Sequence, residues 1–209
     1  MLQFSPDLLN RNVAPGIAEF TTAEIPDLRP EFPQAEHWLS NHYLNTLLGP
    51  NYAGTFRKNA INMLCRAQAE FALFHQAREA TLDYLQNSTL HNPSVRRYYA
   101  AIALWESCLL NYQIFLDLYV KATGKQAFTK GDGSEEQRAY DIATKIKHWG
   151  SFVNSPSRDD DYTIPMWLSN QGLHSHGLAL SYSEFTAVTR EVANAAHELQ
   201  NPGAAAAST

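Results

Sequence analysis

Two long stretches without an interior proline constrain the fold more than any other feature of the sequence. Over residues 52–86 the apolar side chains recur mostly at three- and four-residue intervals, and residues 93–124 repeat the pattern with a broad aromatic face. This spacing is typical of amphipathic helices, because it places apolar groups on one side of a 3.6-residue turn. We predict two long helices that pack against each other as an antiparallel hairpin.

Two further helices are predicted on the C-terminal side of this hairpin. Ser134 followed by Gln137 has the spacing of a capping box, so a third helix should begin there and end near Gly150. The last helix should begin after Ser181 or Ser183, since either hydroxyl can accept a hydrogen bond from the first turn.

Strand signals are sparse, so the predicted fold class is all-α, although the glycine-divided connection over residues 164–185 also fits a short hairpin. We expect a helical domain over residues 34–200, an up-and-down bundle of four main helices with an extra N-terminal helix over residues 34–48. Residues 1–33 contain five prolines and are predicted to form an extended arm that wraps the body or joins a partner. Residues 201–209 should form a flexible tail.

Composition bears on three questions: nucleic-acid binding, the state of the cysteines, and location. The net charge of −5 gives no overall attraction to phosphate, so RNA could bind only through a local basic patch. The two cysteines, Cys65 and Cys108, lie among apolar residues of predicted helices, which is typical of free, packed thiols. The N-terminal residues lack a secretion pattern, and no stretch approaches eighteen uninterrupted apolar residues. We therefore expect a cytoplasmic protein with no membrane partner.

The segment RAYDIATKIKHWG, residues 138–150, carries the main candidate site. Lys145, Lys147 and His148 lie at the predicted end of the third helix, where the helix dipole favours cations. They can be read simply as a basic last turn. Alternatively, His148 acts as a general acid or base and the lysines stabilise a phosphate-like transition state.

The order of elements resembles the HEPN superfamily, the higher eukaryotes and prokaryotes nucleotide-binding domain. Two long antiparallel helices, a shorter third helix ending in Lys-His, and a last helix after an irregular connection all fit this pattern over residues 52–199. The segment YDIATKIKH in particular is similar to helix endings in HEPN proteins of abortive-infection and toxin systems. The resemblance implies a dimeric helical bundle and, in many members, a metal-independent ribonuclease.

The sequence departs from the ribonuclease motif that the resemblance implies. In that motif an arginine precedes the histidine by four to six intervening residues, and the corresponding positions 141–143 hold no arginine. Arg138 is the nearest, about one helical turn too far back. Lys145 or Lys147 could supply a charge but not a guanidinium fork.

A weaker alternative is a metal site at His174 and His176, downstream of the acidic run at residues 159–161. Two histidines separated by one residue can share a metal if the backbone is extended, but further ligands cannot be identified from the sequence. Without a metal, the same pattern indicates a polar loop with surface histidines. No cofactor is predicted.

Three hypotheses follow. The favoured one is a HEPN-like bundle without robust catalysis that acts by forming a homodimer or binding a protein partner. The second is an endoribonuclease of a toxin or phage-defence system that uses His148, Lys147, Lys145 and Arg138. The third is a metal-binding helical bundle.

Overall fold

The computed structural model describes residues 5–52, 54–89, 93–153 and 164–203, and most of them are helical. In chain order the elements are α1 (Pro6–Asn12), a 3-10 turn (Ala35–His37), α2 (Trp38–Leu48), α3 (Gly54–Gln86), α4 (Val95–Thr123), α5 (Glu135–Lys147), α6 (Trp149–Val153), β1 (Trp167–Leu168), β2 (Gly172–Ser175), β3 (Leu178–Ser181) and α7 (Tyr182–Leu199).

Helices α3 and α4 form the centre of the structure. They run in opposite directions. Tyr84, near the end of α3, packs edge-on against Tyr98, near the start of α4, with ring centres 5.3 Å apart. Further along the pair, the Cys108 thiol donates to the Glu70 carbonyl at 3.4 Å. Helix α4 ends at Gly124, whose left-handed φ of 71° lets its N–H bond back to the last turn.

A small antiparallel sheet departs from the all-α expectation. Its order is β1-β2-β3, and β2 pairs with β3 over four residues. The strands are only two to four residues long, too short for an alternating pattern to stand out in the sequence. The hairpin between β2 and β3 turns at Gly177, which has a φ of 70°.

Capping decides where α5 and α7 begin. Ser181 rather than Ser183 caps α7 in a complete capping box: its hydroxyl accepts from the Glu184 N–H at 3.2 Å, and its own N–H donates to the Glu184 carboxylate at 2.8 Å. Ser134 caps α5 by accepting from the Gln137 N–H at 3.3 Å, but the Gln137 side chain turns away and binds N–H groups of the preceding loop. The predicted box on α5 is therefore only half present.

The N-terminal segment packs on the body of its own chain and is not extended throughout. Helix α1 forms within it because Ser5 caps the first turn and Pro6 takes a position that needs no N–H donor. Asn170 then holds the segment by accepting from the Thr21 and Thr22 N–H groups at 2.9 and 3.1 Å. Among its described residues, seven apolar ones are buried: Leu9, Ala14, Ile17, Ala18, Phe20, Ile25 and Leu28.

One apolar core connects this segment, the long helices and the sheet. Trp105 lies at its centre, fully buried, with its indole N–H donated to Thr81 at 2.9 Å. Pairing of the indole N–H is what allows so large a side chain to be buried without an unsatisfied donor. Within the described ranges, no helix is both long and apolar enough to cross a membrane.

Candidate functional site

The C-terminal end of α5 presents His148 and Lys147 to solvent. His148 caps the helix, and its N–H donates to the Thr144 carbonyl at 3.1 Å. Its own carbonyl accepts from the Ser151 N–H and hydroxyl, at 3.0 and 2.8 Å, which turns the chain into α6. Both side chains are exposed. The backbone of His148 thus has a structural role, and its imidazole is accessible.

Lys145 joins the end of α5 to the sheet. Its ammonium group donates to the carbonyl of His176, in the hairpin between β2 and β3. The structure therefore brings the two candidate segments of the sequence, the Lys-His helix end and the His-Ser-His run, to the same part of the molecule. In this arrangement the Lys145 ammonium is held by a backbone carbonyl.

Arg138 lies on α5 but makes a structural contact. Its guanidinium donates to both carboxylate oxygens of Glu184, at 2.8 and 3.4 Å, and to the Ala179 carbonyl at 2.9 Å. The Arg138 hydrogen bond is the main reason that the pKa of Glu184 is lowered. Ten residues of helix, roughly 15 Å, separate Arg138 from His148. Arg138 therefore ties α5 to β3 and α7 and does not form one constellation with His148.

This difference predicts effects of different size for two alanine substitutions on stability. Arg138→Ala should lower the free energy of unfolding by about 1–2 kcal/mol, because it removes charge-assisted hydrogen bonds. The Arg138 side chain that makes them is about three-quarters buried. His148→Ala should change it by less than about 0.5 kcal/mol, since the ring is exposed. Urea unfolding of both variants measures this. A larger loss in His148→Ala than in Arg138→Ala would contradict the assignment of roles.

The two histidines of the metal hypothesis have different surroundings. His174 lies on β2, stacks on Trp167 with ring centres 6.0 Å apart, and shares a 2.7 Å hydrogen bond with the Ser169 hydroxyl. Partial burial lowers its pKa, so the imidazole is neutral near pH 7. His176 lies in the turn and is exposed. Among the described residues no group of three or more potential ligands occurs, and the acidic run at 159–161 lies outside them.

Helix α2 exposes an apolar surface that the sequence pattern did not indicate. Leu44, Leu47 and Leu48 are 56, 81 and 87% exposed, and Tyr43 beside them is 49% exposed. The opposite face of α2 is fixed to the end of α7, where Asn45 donates to the Gln200 carbonyl at 2.9 Å. We call the four exposed residues the α2 leucine surface. The signal in the sequence was a helix whose apolar residues lie on two faces.

Local sequence patterns also did not indicate a buried carboxylic acid, Glu70. Glu70 on α3 is fully buried and accepts a 2.7 Å hydrogen bond from the Thr189 hydroxyl of α7. Burial raises the pKa of Glu70 to about 7, and the Thr189 hydrogen bond opposes this shift. Sequence spacing could not reveal it, because Thr189 is 119 residues away.

The two cysteines differ from each other. Cys108 is buried, and burial raises the pKa of its thiol well above the usual value. Cys65 is exposed, so the prediction that it is packed in the interior was wrong. Its apolar neighbours in the sequence lie on the other side of α3. Both thiols are free.

Comparison of the chain with models of protein families, with curated proteins and with solved structures gave no match in any of the three.

Proposed function

We propose that this protein is a HEPN-like bundle that works by forming a homodimer through the α2 leucine surface, without catalysis by His148. The observation that carries the proposal is the exposure of Leu47 and Leu48, each more than four-fifths accessible. Adjacent exposed leucines on one helix face form an apolar patch, and such patches are typical of interaction surfaces.

The order and packing of the helices support the HEPN-like part of the proposal. Helices α3 and α4 pair along their length, α5 lies against α4 and ends in Lys147-His148, and α7 packs on α3 after the sheet. In this proposal α3, α4, α5 and α7 are the four main helices of an up-and-down bundle.

Charge favours a second copy as the occupant of the α2 leucine surface. The chain carries a net charge of −5, so two copies repel each other over most of their surfaces. Helix α2 contains no Asp, Glu, Lys or Arg, and its single histidine, His42, is buried with a lowered pKa. A two-fold contact places the same surface on both sides, and the uncharged α2 face adds no like-charge pair at that contact.

The contacts of the candidate catalytic side chains weaken the enzymatic alternative. Arg138 is committed to Glu184 and Lys145 to a backbone carbonyl. A transition-state charge would have to compete for both groups.

The dimer can be tested by sedimentation velocity. Leu47→Glu with Leu48→Glu should raise the dimer dissociation constant at least about a hundredfold, because each leucine contributes roughly 1.5–3 kcal/mol when buried and a glutamate resists burial. The matched control is Leu8→Glu with Ile114→Glu, which introduces the same two charges at apolar positions on α1 and α4 that are 47 and 39% exposed. A wild-type protein that stays monomeric at 100 μM, or a dimer that survives the double substitution, would rule out the α2 contact.

A ribonuclease is the second candidate, because His148 and Lys147 are both accessible at the same helix end. The distinguishing assay incubates wild type and His148→Ala with mixed RNA in EDTA. Our expectation is that neither protein cleaves. Cleavage by wild type that is lost in His148→Ala would assign catalysis to this helix end despite the missing arginine.

A further inference from the structure

A cavity of about 590 Å³ lies between the N-terminal segment and one face of α3. Its size is within the range of small-molecule sites in proteins. The face of α3 that borders it carries two small residues, Ala69 and Ala72, and the N-terminal segment does not fill the space above them. Its apolar walls are formed by Phe32, Pro33, Leu39, Phe71 and these alanines.

His75 supplies a buried polar group to this cavity. Its side chain borders the space and is only 6% exposed. Within the described residues neither ring nitrogen makes a hydrogen bond. Nδ1 is 3.5 Å from an Asp27 carboxylate oxygen, but that carboxylate already accepts three hydrogen bonds from the Arg29 side chain. Buried imidazoles are normally paired, so an unpaired one at a cavity wall indicates a missing partner.

The charges near His75 indicate the kind of molecule that fits. Arg29 is held by Asp27 and by Glu79, whose contact is 2.6 Å, so its charge is already neutralised. Arg78 adds a positive charge beside His75, and its side chain donates to the Ile25 carbonyl. The two arginines balance the two carboxylates. The remaining carboxylate of the lining, Glu36, is 78% exposed to water and lies 3.3 Å from the His37 ring, so no buried counter-ion is left for a charged ligand among these groups. Burial also keeps the imidazole neutral at pH 7, because it lowers the pKa of His75 to about 4.

We propose that this cavity binds an uncharged, ring-containing apolar molecule that forms one hydrogen bond with His75 through a hydroxyl or N–H group. Phe32 and Phe71, whose rings lie edge-on at 5.8 Å, provide aromatic walls for the ring system. The exposed thiol of Cys65 borders the same cavity and reports on its occupancy.

The test uses 2-naphthol and naphthalene, which differ in one hydroxyl group. We expect saturable binding of both by NMR titration, with 2-naphthol bound roughly three- to tenfold more tightly, the usual gain from one neutral hydrogen bond. In His75→Phe this preference should disappear while naphthalene still binds. Saturating 2-naphthol should also slow the reaction of Cys65 with a disulfide reagent, and buried Cys108 gives no background.

Two tryptophan substitutions keep the test independent of His75. Ala72→Trp fills the cavity from an exposed position on α3 and should abolish binding. Gln76→Trp places the same side chain one turn further on, outside the cavity wall, and should bind as wild type does. Absence of saturable binding, unchanged Cys65 reactivity, or equal binding by Ala72→Trp would each overturn the proposal. The dimer proposal is unaffected by these outcomes, since the α2 leucine surface does not border the cavity.

Discussion

Gly172→Ala is expected to lower the free energy of unfolding by about 3 kcal/mol or more and to reduce the melting temperature by roughly 6–12 °C. A Cβ at this position would lie 2.1 Å from the Leu180 carbonyl oxygen and 2.6 Å from the Ser181 Cα. These are backbone atoms of β3 and of the α7 cap, so they cannot move aside as a side chain tip could. The strands must separate or the start of α7 must shift.

Gly150→Ala is the matched control, because its Cβ would meet nothing within 4 Å and its backbone has no positive φ. Helical alanine is favoured over glycine, so this variant should be as stable as wild type or slightly more stable. Calorimetry of both variants measures the difference. A melting temperature of Gly172→Ala within 2 °C of that of Gly150→Ala would contradict the close packing of β2 on β3.

Glu70→Gln is expected to change the pH dependence of stability. Burial raises the pKa of the Glu70 carboxyl to about 7 in the folded protein, against 4.5 for a glutamate in water. Below pH 4.5 it is protonated in both states. Between 4.5 and 7 the unfolded chain releases the proton and the folded protein retains it, so unfolding becomes easier as pH rises. The loss approaches about 3 kcal/mol above pH 7. Glutamine has no proton to release, so the variant should gain this amount relative to wild type between pH 5 and pH 8.

His75 acts in the opposite direction over nearly the same range. Burial lowers its pKa to about 4, so its contribution to stability is lost as pH falls from 6.5 toward 4. Because His75 is present in both proteins, its contribution cancels in the difference between wild type and Glu70→Gln. Urea unfolding at pH 5, 6, 7 and 8 gives that difference. Glu191→Gln, at an exposed position on α7, should follow the wild-type curve. Parallel curves for Glu70→Gln and wild type would show that Glu70 titrates normally.

Elements with a strong local signal were predictable from the sequence. Helix α3 extends from Gly54 to Gln86 and α4 from Val95 to Thr123, close to the predicted 52–86 and 93–124. Each run is long and periodic, so the apolar pattern repeats often enough to identify a helix. The three short strands contain too few residues for an alternating apolar pattern to repeat. They form because β2 pairs with β1 on one side and with β3 on the other.

The candidate site shows the same division. The sequence placed Lys145, Lys147 and His148 at a helix end, and α5 does end there. It could not show that Arg138 would be taken up by Glu184, or that Lys145 would reach the hairpin carbonyl, because these contacts join residues 31 to 46 apart.

The sequence by itself determined the long helices, the position of the Lys-His end and the Ser134 cap of α5, since each depends on residues within one or two turns. The choice of Ser181 over Ser183 as the cap of α7 came from the structure. Only the tertiary structure decided which side chains are buried or exposed through contacts with segments that are distant in the sequence. Glu70 is buried against α7, and His75 is buried beneath the N-terminal segment. The α2 leucine surface is exposed because the described neighbours of α2 pack on its other side. Burial and its effect on charge depend on distant segments, and local patterns carry no information about them.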